Sequence, residues 1–92
     1  MNRGFAAMLV VLDNNVFSPG VAFIDENNIL LSVEALKNES AFVKFFDGAI
    51  FLYSQDGKTS PKIGERVIIK QMIPFDIAKR EPLPNTITKN II

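Results

Sequence analysis

At 92 residues the chain has room for one domain, and its ten basic and ten acidic residues cancel to a formal net charge of zero. Without a basic surplus to displace counterions it is not built as a general nucleic-acid binder. Without Cys or His it has no disulfide framework, no zinc site of the usual ligands and no Cys- or His-based catalysis.

The first apolar run, "GFAAMLVVL" at 4–12, is too short to span a bilayer. One Arg precedes it, but Asp13-Asn14-Asn15 follows in place of the small-residue cleavage site of a signal peptide. A buried strand over 5–12 is the expectation. Strands follow at 20–24 and 28–32, on either side of a polar turn from Asp25 to Asn28. Asn, Asp and Gly mark such turns because they tolerate positive φ or bond back to their own backbone. The stretch "VEALKNES" at 33–40 has room for a single helical turn. "FVKFFDGAIFLYS" predicts a hairpin, strands 41–46 and 49–54, with Asp47-Gly48 as a two-residue type I′ loop. Turns at Asp56-Gly57 and Pro61 to Gly64 lead into a strand over 65–73. In the tail at 81–92, Pro82 and Pro84 favour an extended crossing segment before a last strand over 86–92.

Six or seven short strands separated by regular turns predict an all-β domain spanning residues 1–92, a sandwich or a barrel. Eight Phe and 48% hydrophobic residues supply its core and are incompatible with a disordered segment. Runs such as "AAMLVVL" and "AIFLY" leave few positions for water, so either a barrel closes tightly or part of the outside is covered by something else. No run of like charge marks an electrostatic membrane patch.

Paired carboxylates can do acid–base work, which brings Asp25, Glu26, Glu34 and Glu39 forward. Asp25 and Glu26 sit in a turn beside two Asn, where solvated polar residues are expected. "DENNILL" lacks the Gly and terminal Glu of a calcium loop. Gly57, Gly64 and their neighbours form no phosphate cradle, and a Ser nucleophile would have no His base. No cofactor or metal is implied. Asn38-Glu39-Ser40 forms an acceptor sequence for glycosylation at Asn38. Phe45, Phe51 and Tyr53 belong either to core packing or to an exposed aromatic groove.

The stretch "FSPGVAFIDENNILLSVEAL" (17–36) resembles the opening of a trypsin-like serine protease of the chymotrypsin fold, F-C-G-G-S-L-I, a turn, then W-V-L-T-A-A-H-C. Phe17, Gly20 and Phe23-Ile24 fall on matching places. The catalytic His would fall at Glu34, and the flanking cysteines near Ser18 or Pro19 and at Ala35. Downstream, "VIIKQMIPFDIAKREPLPNTITKNII" (67–92) is similar to the family's His-Pro-aromatic segment followed by N-D-I-A, with Pro74 and Phe75 in place, Ile73 instead of His, and the triad Asp at Thr86. The bacterial HtrA-like branch of the same fold is a related match.

That resemblance implies a six-stranded antiparallel Greek-key barrel, the first barrel of a protease homologue whose catalytic positions, Glu34 and Thr86, are degenerate. Glu cannot relay the proton that His moves off Ser, and Thr offers no charge to orient it. The second barrel, with nucleophile and oxyanion hole, has no counterpart in these residues. The expectation is a non-enzymatic, secreted protein-binding chain, with a second-barrel chain or another copy of itself as partner and neither nucleic acid nor membrane. An unrelated SH3-like or OB-like interaction module is the alternative.

Overall fold

The computed structural model describes residues 2–37 and 42–92. Seven strands run in chain order: β1 (Arg3–Leu12), β2 (Asn15–Phe17), β3 (Gly20–Ile24), β4 (Leu30–Ala35), β5 (Val43–Tyr53), β6 (Ile68–Asp76) and β7 (Glu81–Asn90). There is no helix among the described residues. All seven belong to one sheet, in the order β4-β3-β1-β5-β6-β7 with β2 also pairing β1. The all-β expectation is met, but the sheet is not closed. Its edges are β4 and β7, where the sequence predicted strands joined into a barrel. One end is tied across by Leu30 N donating to Glu65 O, Gly64 N to Leu30 O and Val67 N to Asn28 O, each at 2.8 Å. These bonds surround an isolated bridge between Ile29 and Arg66.

The predicted hairpin at Asp47-Gly48 is a single long strand. Phe46 pairs with Ala7 and Ala49 with Leu9, so Asp47 and Gly48 together oppose Met8 alone. Two residues against one is a β-bulge, and the residue that tolerates positive φ sits in it. Gly48 has φ 76, and a Cβ there would meet the Met72 carbonyl oxygen at 2.2 Å. The chain does not reverse because both sides of the dipeptide pair with β1 in one direction, parallel to it. Parallel neighbours need a long crossover, and here β2, β3 and β4 make it.

Smaller differences have equally local causes. Leu12 pairs with Asn15, so Asp13-Asn14 closes a two-residue hairpin, with Asp13 at φ 56, and the short β2 follows it. Residues 33–35 complete β4 instead of turning as a helix, because β3 offers them partners: Ala22–Val33, Val21–Glu34 and Gly20–Ala35. The tail pairs from Glu81 onward, with Pro82 and Pro84 inside β7. An edge strand accepts proline because one side of its backbone needs no ladder partner. Asn38 and Glu39 lie outside the described residues.

The main core gathers on one face of the sheet. Phe5, Ala7, Val10, Ala22, Ile24, Leu30, Ile50, Leu52, Val67 and Ile69 are buried together, with Phe46, Ile91 and Ile92 packed against them. Each large aliphatic side chain so buried contributes about 1.5–3 kcal/mol. Val10 pairs with Ile50 and Ile50 with Gln71, so Gln71 and its β7 neighbour Lys89 point to this same face. Ala6, Leu9, Val21 and Ala49 are buried on the opposite face, beside the half-exposed Phe45.

Candidate functional site

Where the core face approaches β7 it opens into a cleft of about 740 Å³. β1 contributes Arg3 and Phe5, β5 contributes Lys44, Phe46 and Asp47, β6 contributes Gln71 and Ile73, and β7 contributes Lys89. The register puts them there: alternate residues of a strand share a face, so Phe5, its partner Lys44 and Phe46 all look into the cleft.

The Phe5 and Phe46 rings stack, with centroids 5.7 Å apart and planes inclined by 12°. Cations lie over both: the Arg3 guanidinium 5.8 Å from the Phe5 centroid and Lys44 Nζ 5.3 Å from that of Phe46. Arg3 also donates to Asn28 Oδ1 at 2.6 Å and to the Asp25 carbonyl at 3.1 Å, which fixes its position at the rim. Gln71, 4% exposed, forms the floor. Its Nε2 donates to the Asp47 carbonyl at 2.9 Å, holding the backbone of the bulge. That is its one side-chain hydrogen bond among the described residues, and Gln71 belongs to the cleft lining. Three cationic side chains (Arg3, Lys44 and Lys89) therefore surround the opening against one acidic side chain, Asp47.

Glu34 and Thr86 do not meet. Glu34 is exposed on β4, and Thr86 lies on β7, with β3, β1, β5 and β6 between them. At about 4.8 Å per strand spacing five spacings separate them along the sheet. Thr86 Oγ1 donates to the Pro74 carbonyl and accepts from Leu83 N, which ties the irregular start of β7 to β6. Ser18, Pro19 and Ala35 do come close: Gly20 pairs with Ala35, and Leu36 N donates to the Pro19 carbonyl at 3.0 Å.

Of the remaining carboxylates, Asp25 secures its own turn, its Oδ1 accepting from Asn27 N and Ile29 N. Asp56 lines a second cavity of about 410 Å³ with Ser54, Gln55, Glu65 and Arg66. Its carboxylate is held far below its ordinary value of 3.8 by the Thr59 and Lys58 backbone N–H groups, then by the Ser54 and Thr59 hydroxyls. Those partners consume its acceptor positions, so it acts as a turn anchor and not as a base.

Of the aromatics singled out in the sequence, Phe45 reaches the cleft. Phe51 packs edge-on against Phe75 at 5.8 Å, and Tyr53 carries Lys70 Nζ over its ring at 5.0 Å. Arg3, Lys44, Gln71 and Lys89 were not marked by sequence reasoning. The available signal was a polar residue inside an apolar run: Lys44 in "FVKFF" and Gln71 in "IIKQMI". Compared with known protein families, curated proteins and solved structures, the chain matches none.

Proposed function

We propose that this protein is a non-catalytic binding module that engages another polypeptide at the cleft between β1, β5, β6 and β7. The observation that carries the reading is Gln71: a buried polar side chain in the lining of an open, cation-rimmed cavity, with its amide nitrogen already spent on the bulge. Burying an amide is unfavourable unless its polar atoms are used, and a bound backbone N–H would complete its set.

Random peptides displayed on phage and selected against the wild-type chain test this. Binders should be lost when Lys89→Trp fills the cleft and retained when Ile63→Ser alters an exposed side chain outside its lining. Peptides that bind both variants equally would sink the reading.

A degenerate trypsin-like homologue with a Greek-key barrel is a second reading. It is supported by motif order and by the nearness of Ala35 to the Ser18-Pro19 segment, where that family pairs cysteines. It shares the expectation of a non-enzymatic, secreted chain with a protein partner. Covalent labelling of the wild-type chain by a serine-directed fluorophosphonate would overturn the non-catalytic part of both readings.

A further inference from the structure

We infer that the cleft takes an extended acidic segment, one that presents carboxylates next to apolar side chains. This rests on the cleft being the binding site and adds the chemistry of its occupant. The chain is neutral as a whole, yet Arg3, Lys44 and Lys89 converge on one opening with Asp47 as the acidic side chain among its lining. Neither Lys44 nor Lys89 forms an ion pair with a described carboxylate. Lys44 is instead held over the Phe46 ring, a contact that aims its ammonium at the cleft without neutralising it.

The kind of anion follows from what the cations have left to give. The Arg3 guanidinium is already engaged by Asn28 and Asp25, so it supplies field and not the bidentate fork that favours phosphate. Two lysines, each a point charge with several donors, accept carboxylates at varied angles. A neutral chain lacks the surplus that makes polynucleotide binding strong. The walls between the charges are apolar: the edges of the stacked Phe5–Phe46 pair, Ile73 and Ile91. Gln71 Oε1 at the floor is an acceptor for one backbone N–H of an extended strand. A carboxylate, an apolar side chain and a peptide N–H within one short segment satisfy all three features.

The test is a titration of the labelled chain followed by amide chemical shifts. The probe is a capped peptide alternating glutamate and leucine, compared with its glutamine–leucine counterpart, inorganic phosphate and a short single-stranded oligonucleotide. The acidic peptide should shift the amides of Lys44, Gln71 and Lys89. Its affinity should fall about tenfold in the K44Q/K89Q double variant and should weaken as salt rises from about 0.01 M to about 1 M, where the Debye length shrinks from roughly 30 to 3 Å. Equal binding of the glutamine peptide at the same amides would overturn the acidic specificity while leaving the cleft as the site. Preferential binding of phosphate or the oligonucleotide there would overturn it in the same way. Acidic-peptide shifts confined to β4 or to the loop around Asp56 would overturn the inference together with the reading it rests on.

Discussion

Asp47-Gly48 and Asp56-Gly57 are the same dipeptide with nearly the same glycine backbone, φ 76 and φ 73. The first lies inside the 11-residue strand β5, the second in the loop that follows it. Around Asp56 the chain satisfies itself: Gly57 N donates to the Ser54 carbonyl, Ser54 N to the Thr59 carbonyl, and the Asp56 carboxylate collects Lys58 N and Thr59 N. Around Asp47 the partners come from elsewhere: β1 on one side, the Met72 carbonyl against Gly48, and the Gln71 amide on the Asp47 carbonyl. One dipeptide is held by its neighbours in sequence and the other by its neighbours in space. Substitutions should therefore cost far more at the first.

Gly48→Ala should have the largest effect. It combines a left-handed backbone, costing about 1–3 kcal/mol for a residue with a Cβ, with a clash against a backbone oxygen at 2.2 Å that no side-chain movement can relieve. A loss of at least about 3 kcal/mol, read from chemical denaturation, is expected. For a domain of this size each kcal/mol corresponds to about 4–8 °C in Tm. A variant as stable as the wild type would mean that the bulge is not held by β6.

Gln71→Leu probes the same bulge from the other side. It keeps the side chain's approximate volume but removes the donor to the Asp47 carbonyl, at an expected cost of about 1–3 kcal/mol. Faster amide exchange confined to Asp47–Ala49 and Met72 would place the damage at the bulge. Uniform acceleration across the sheet would show that Gln71 supports the core generally.

Gly57→Ala should cost about 1–2 kcal/mol, from backbone strain alone, since the nearest atom to its added Cβ is Lys70 Nζ at 3.8 Å. If it destabilises as much as Gly48→Ala, the contrast between the two sites fails.

The smallest effect belongs to the Asp56 carboxylate, which is fully exposed. Its folded-state pKa is depressed by the Thr59 and Lys58 N–H groups and the two hydroxyls, so the unfolded chain takes up this proton first. Its contribution is therefore present above the ordinary value of 3.8 and is lost as pH falls through the depressed folded value. The stability gap between wild type and Asp56→Ala should accordingly narrow between about pH 6 and pH 2. A gap that stays constant over that range would mean the hydrogen bonds do not favour the charged form.

Much of the strand content was legible because it is local. The strand over 20–24 coincides with β3, the run at 5–12 falls within β1, and Asp25 turns the chain between β3 and β4 as its residue type implies. The cleft was not legible, because its parts come from four strands whose adjacency depends on β1 and β5 lying side by side. Lys44, Gln71 and Lys89 are spread across the sequence, and only the register aligns them on one face.

The sequence by itself determined which Asp, Asn and Gly positions tolerate positive φ (though not Arg80, which also takes it), which runs are apolar enough to be strands, and that no Cys or His chemistry operates. These follow from side-chain sterics, hydrophobicity and composition, which act within a few residues. The tertiary structure decided whether an Asp-Gly pair reverses the chain or bulges within a strand, that the sheet stays open between β4 and β7, and which charges share a cleft. Each of those is settled by pairing between residues distant in sequence, where the partner that satisfies a backbone group or fills a face is supplied by another part of the chain.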